Sequence, residues 1–217
     1  MSSGIIFEDF DAKSLDALAE ISGRSFASLM DSFKGDSHIG ICRHFVLNYL
    51  EESNYSECAY KDGILVGFII GRLHGSSTDG KPYLSGLKSQ IESDLSGDPV
   101  GRGYLDMQNM VNSMQADLMG GLCTNDCAEI LLYAVDPDIQ GSGTGRRLLS
   151  RFRSHAYAEG CRTMSLLTSD YCNVGYYQHI GFELYREGRL DVSGTHTPIY
   201  IFTSGLIDAL HQVGTRY

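Results

Sequence analysis

The spacing of hydrophobic positions along this chain changes several times, and each change predicts an element. Residues 4–10 read as a short strand, and Asp11 or Ser14 then offers a helix cap ahead of Leu15, Leu18, Ala19 and, past Ser22, Phe26. Ile41, Phe45, Val46 and Tyr49 recur at helical spacing within residues 39–50. Strand-like runs at 57–60 and 64–73 flank Lys61-Asp62-Gly63, and Asp-Gly between such runs predicts a hairpin. From residue 74 to about 124 the pattern loosens. Gly, Ser and Asp dominate up to residue 103, and a helical run follows with Met107, Met110, Val111, Met114 and Leu118 on one face. A stretch of that length without strand character is too long for an ordinary connection, so it predicts an inserted, lid-like segment at about 74–127.

Beyond residue 128 the alternation sharpens. A strand at 128–135, a loop at 136–145, a helix at 146–159 and a strand at 163–169 follow in order. A short helix around 172–179, strands at 182–190 and 198–204, and a C-terminal helix from about Leu206 complete the chain, with no internal repeat. This order, joined to an N-terminal hairpin, predicts an α/β or α+β fold whose mixed sheet has a parallel portion.

The 217 residues are 42% hydrophobic, enough to bury a core and to exclude a disordered class. A net charge of −10 argues against nucleic acid, and no basic stripe offsets it. The start of the chain is acidic where a signal peptide is basic, and the run at 64–71 is far too short to span a membrane. The expectation is a cytoplasmic protein with reduced thiols and no membrane partner. Cys123 and Cys127 have no second ligand pair to complete a zinc site, so no metal is expected. Charge is uneven: residues 1–128 hold 18 acidic and 9 basic side chains, against 9 and 8 in residues 129–217. The first part favours a cationic ligand, and the second tolerates phosphate.

The sharpest chemical feature is Gln140-Gly141-Ser142-Gly143-Thr144-Gly145, between a strand and a helix that begins Arg146-Arg147. Glycines let a ligand approach backbone amides, and the helix N-terminus adds a positive dipole end, so the segment predicts an anion cradle. The dinucleotide fingerprint and the P-loop would both need glycine at 146, where this chain has arginine. Basic residues at a helix N-terminus oppose the dipole and make better sense if one of them meets an anion.

Val135-Asp136-Pro137-Asp138-Ile139-Gln140-Gly141-Ser142-Gly143-Thr144-Gly145 resembles the V-x-P-x-x-[QR]-G-x-G-x-[GA] loop of the GNAT superfamily of acyl-CoA-dependent N-acyltransferases. Tyr176-Tyr177-Gln178-His179-Ile180-Gly181-Phe182 is similar to the end of a second family motif, with Asp170 at its Asn spacing and Asn173 at its Ala spacing. The resemblance implies a GNAT-like mixed central sheet with helices on both faces, splayed fourth and fifth strands, and one domain over residues 1–217 carrying the insertion. It implies acetyl-CoA as acyl donor, bound by Tyr133, Ala134, Val135, Gln140, Gly141, Ser142, Gly143, Thr144, Gly145, Arg146, Asn173 and Tyr177. Tyr177 matches the family's proton donor to the leaving thiolate. Glu129 lies 11 positions before Gln140, the spacing of a family general base, and beside an apolar insertion its pKa is expected to be raised. His155 and His179 read as structural. The implied activity is direct transfer of an acetyl group to a primary amine, cationic in view of the acidic N-terminal part, with a homodimer left open. A non-catalytic acyl-CoA-binding sensor or regulatory module is the alternative.

Overall fold

The computed structural model describes residues 4–76, 82–122, 124–192 and 195–206. Cys123 and the C-terminal helix expected beyond Leu206 lie outside these residues. The described strands are β1 (Ile6–Asp9), β2 (Tyr55–Lys61), β3 (Ile64–Leu73), β4 (Cys127–Val135), β5 (Thr163–Ser169), β6 (Glu183–Val192) and β7 (Thr195–Gly205). They form one sheet in the order β1-β2-β3-β4-β5-β7-β6. Only β4 and β5 run parallel; every other neighbouring pair is antiparallel. Asp62 and Gly63, with φ of 53° and 78°, turn β2 into β3 as a two-residue hairpin of this twist requires.

Helices cover both faces. On one side lie α1 (Leu15–Ser25), the single turn α2 (Ala27–Met30) and α3 (His38–Glu52), together with α4 (Pro82–Ser96) and α5 (Pro99–Met119). Their Leu18, Met30, Ile41, Leu47, Leu84 and Tyr104 pack with Phe68, Ile70 and Leu132 of the sheet. On the other side α6 (Thr144–Ala158) places Leu148, Phe152 and Ala156 against Ile69, Ile130 and Met164, and the short α7 (Val174–His179) flanks the same core. The mixed sheet, its parallel pair and the helices on both faces are those of the fold implied by the sequence.

The segment before β4 departs from its local reading. Sequence composition shows Gly, Ser and Asp up to residue 103, yet α4 begins at Pro82. Gly86, Ser85, Ser89 and Ser93 mask a stripe of Leu84, Ile91 and Leu95 at helical spacing, and those three residues are buried. Tertiary contacts fix the helix. Lys88 Nζ and Ser85 Oγ meet Glu51 of α3 at 2.9 and 2.6 Å. Buried His44 of α3 bridges Glu92 of α4 at 3.0 Å and the Tyr104 hydroxyl of α5 at 3.1 Å. Asp98 caps α5, accepting from the Gly101 amide at 2.9 Å. The two helices therefore extend the core beside α3, and α5 continues across to β6, where Arg186 Nη1 donates to the Leu118 carbonyl at 2.7 Å.

Candidate active site

Pairing between β4 and β5 runs from Cys127 opposite Thr163 to Ile130 opposite Leu166 and ends there. Both strands go on, β4 to Val135 and β5 to Ser169. On its other edge β4 slips register against β3, with Ile70 opposite Leu132 and Gly71 opposite Ile130, which makes Leu131 an extra residue. A bulge of this kind bends a strand and re-aims its side chains. The sheet consequently opens between β4 and β5, and backbone groups on their facing edges are left without a ladder partner.

Two clefts meet at that opening. One, of about 480 Å³, is lined by Tyr133, Ala134, Val135, the whole run Gln140 to Arg146, Asn173, Tyr176 and Tyr177. Every residue assigned from the sequence to donor binding lies along it. The other, of about 410 Å³, lies toward α3 and α5 and shares Phe26, Tyr133, Tyr171, Cys172 and Tyr177 with the first. Phe26, Tyr171 and Cys172 were not singled out in the sequence, where Phe26 reads only as one more apolar position of a helix face.

Local chemistry builds the first cleft. Gly141 and Gly143 have φ of 84° and 81°, a left-handed conformation that side chains rarely adopt, and Gly143 then caps α6. The first-turn amides of a helix have no acceptor within the helix, and the dipole makes that end positive. Arg24 of α1 clamps the approach to the loop, reaching Asp136 at 3.0 Å and Asp138 at 2.6 Å. The paired arginines divide: Arg146 lines the cleft, whereas the Arg147 guanidinium stacks 4.7 Å from the Phe7 ring centre. Gly145 is needed for a different reason from its neighbours. A Cβ there would stand 2.3 Å from the Tyr133 hydroxyl, which hydrogen-bonds the Tyr176 hydroxyl at 3.3 Å.

Helix α7 presents Tyr177 to both clefts. Asn173 Oδ1 caps it by accepting from the Tyr176 amide at 3.2 Å, and Arg153 of α6 donates to the Ile180 carbonyl at 3.3 Å while stacking on Phe182. Asn173 thus reaches the cleft and positions the tyrosines, whereas Asp170 hydrogen-bonds Tyr200. The Tyr177 ring sits edge-on to Tyr176 and Phe182, and burial holds its phenol above the ordinary value. It stays protonated at neutral pH, as a hydrogen-bond or proton donor must.

Glu129 is a different case. It is 1% exposed and lines neither cleft. Burial opposes its ionisation, but a hydrogen bond from His74 at 3.1 Å and the charge of Arg72 at 2.7 Å outweigh that, and its pKa is lowered. Gln115 of α5 donates to its other oxygen at 3.0 Å. The raised pKa expected from the sequence is replaced by a lowered one, because the insertion and β3 bring polar partners rather than apolar surface. His155 stacks on Tyr55 at 4.9 Å, and neither it nor His179 lines these clefts. No helix among the described residues is long and apolar enough to cross a membrane.

The family model of the Acetyltransferase (GNAT) family matches residues 26–182. The chain belongs to this GNAT family. A segment of 62 residues is 34% identical to the amino-acid acetyltransferase of Ectopseudomonas mendocina (strain ymp), taking in 29% of this chain and 14% of that relative. The ribosomal-protein-S18-alanine N-acetyltransferase of Escherichia coli has a similar structure, with a TM-score of 0.53, 15% identity and 94% of each chain covered. The N-acetyltransferase of Staphylococcus aureus Mu50 superposes with a TM-score of 0.56 at 12% identity, over 94% of this chain and 99% of that one. The PaiA N-acetyltransferase of Thermoplasma acidophilum, solved in complex with coenzyme A, gives 0.51 at 14% identity over 93% and 99%. These structures share the GNAT fold at identities too low to carry substrate identity.

Two outcomes follow from the packing. Gly145→Ala forces its methyl onto the Tyr133 hydroxyl and is expected to destabilise this GNAT domain by about 1–3 kcal/mol in urea unfolding. Adding Tyr133→Phe should recover most of that loss; no recovery would mean the clash lies elsewhere. Glu129, with its lowered pKa, contributes stability that is complete above the unfolded carboxyl value of about 4.3 and is lost as pH falls through the folded value. Between about pH 5 and pH 3 the unfolding midpoint of the wild type should therefore fall more steeply than that of Glu129→Gln. Parallel curves would contradict the ion-paired state.

Proposed function

We propose that this GNAT protein is an N-acetyltransferase that takes an acetyl group from acetyl-CoA and passes it to a primary amine by direct attack. The observation that carries the reading is the junction of the two clefts at Tyr177, between an anion cradle and a second pocket. Acetyl-CoA supplies an activated thioester and a leaving thiolate. Amides at Gly141 to Arg146, the α6 dipole and the Arg146 charge suit its phosphates. The open edge of β4 at Tyr133 to Val135 offers backbone groups to an extended amide-bearing arm, in the manner of strand addition.

At the junction, nitrogen–carbon bond formation and carbon–sulfur bond cleavage leave one proton to be lost by the amine and one to be gained by the thiolate. The neutral Tyr177 phenol serves the thiolate. Glu129 is tied up in its ion cluster, so in this reading it fixes Arg72, His74 and α5 rather than taking the proton. Deprotonation of the amine is favoured by desolvation, because among the described residues no Asp or Glu lines the second cleft to meet an ammonium. We read residues 1–217 as one domain in which α4 and α5 are the insertion before β4.

Tyr177→Phe is expected to lower turnover by on the order of 10²-fold, with little change in the affinity for acetyl-CoA by calorimetry. Unchanged thiol release with a good acceptor would remove Tyr177 from the chemistry. Binding of CoA with no turnover on any amine would instead favour a non-catalytic acyl-CoA-binding module.

A further inference from the structure

The second cleft has a chemistry of its own. Phe26, Phe45, Met107, Val111, Leu132 and Leu166 bring aromatic and aliphatic surface to it, and among the described residues no Asp, Glu, Lys or Arg lines it. Its volume of about 410 Å³ is that of a small-molecule site. The acidity that made a cationic acceptor the first expectation does not reach this lining among the described residues: Glu51 and Glu92 tie α3 to α4, and the buried Glu129 lies outside it, paired with Arg72 and His74. One polar group stands out against this lining. Thr168 of β5 is 4% exposed, lines the cleft, and its hydroxyl has no hydrogen-bond partner among the described residues. A buried hydroxyl without a partner costs free energy that a ligand group can recover.

Resting on the acetyltransferase reading, we propose that the acceptor is a small free primary amine with an uncharged, apolar body of aromatic size, oriented by the Thr168 hydroxyl. Helix α5 closes the far wall with Met107 and Val111, and Leu190 and Ile199 of the β6–β7 pair close another. A pocket walled on these two sides suits a compact free amine better than a peptide, whose chain needs a continuous groove. A polyamine or an aminoglycoside would bury further cationic groups with no carboxylate among the described lining residues to meet them, which disfavours both.

The test uses the full chain with acetyl-CoA and follows thiol release with 2-phenylethylamine, spermidine, and a peptide with an N-terminal phenylalanine. In parallel, calorimetry measures 2-phenylethylamine binding in the presence of CoA, where no acetyl group is available. The proposal predicts that kcat/KM for 2-phenylethylamine exceeds that for spermidine by at least about 100-fold, as expected for roughly 3 kcal/mol of discrimination. Thr168→Val, which keeps the shape of the side chain, should raise KM for 2-phenylethylamine by about tenfold and leave KM for acetyl-CoA unchanged. Val111→Asp should shift preference toward 1,4-diaminobutane. Preference of the wild type for spermidine or the peptide would overturn the proposal while leaving the transferase reading intact. So would a preference for octanoyl-CoA over acetyl-CoA, because the pocket would then belong to the acyl chain. Binding of 2-phenylethylamine without turnover of any amine would support the pocket's selectivity and sink the transferase reading.

Discussion

The end of the β4–β5 ladder at Ile130 and Leu166 is the constraint on which the rest of the site depends. A parallel pair zipped to the ends of both strands would leave no gap and no free backbone edges. Instead the Leu131 bulge changes the facing of β4, and Tyr133 packs its hydroxyl against Gly145 at the start of α6. The same tyrosine reaches Tyr176 on α7, so the strand, the glycine loop and the helix carrying Tyr177 are fixed to one another through a single side chain. Arg24 and Ser25 tie α1 to the other side of the opening, at Asp136, Asp138 and the Val135 carbonyl.

Charge acts in two separate places. The glycine loop and α6 present amides, a dipole and Arg146 to one cleft, while several carboxylates elsewhere hold elements of the fold to one another. Glu51, Glu92 and Glu129 each meet a basic partner from another element, and Glu129 alone draws on β3, on His74 just beyond it and on α5. The second cleft has no ionic side chain in its lining among the described residues. The net charge of the sequence therefore does not set the pocket's own preference, which is left to apolar surface and one buried hydroxyl.

What the sequence disclosed, and what it hid, follows from how local each feature is. The loop from Gln140 to Gly145 and the Tyr176–Phe182 end of α7 are contiguous, and their φ values, caps and spacing are written in neighbouring residues. The mixed sheet was legible for the same reason, from the hairpin at Asp62-Gly63 and the alternation of strands and helices after residue 128. Helix α4 was not, because its serines and Gly86 dilute a stripe that only packing against its neighbours makes favourable. The state of Glu129 was hidden too, since Arg72, His74 and Gln115 are distant in sequence. So was the second cleft, whose walls come from Phe26 between α1 and α2, Phe45 of α3, Val111 of α5 and Leu166 of β5.

A crystal structure of the full chain with coenzyme A bound tests the central claim most directly. The account predicts pyrophosphate density against the amides of Gly141 to Arg146, the extended arm in the opening between β4 and β5, and the thiol beside Tyr177. Coenzyme A bound away from that opening, or β4 and β5 paired continuously to Ser169 with no gap, would contradict it.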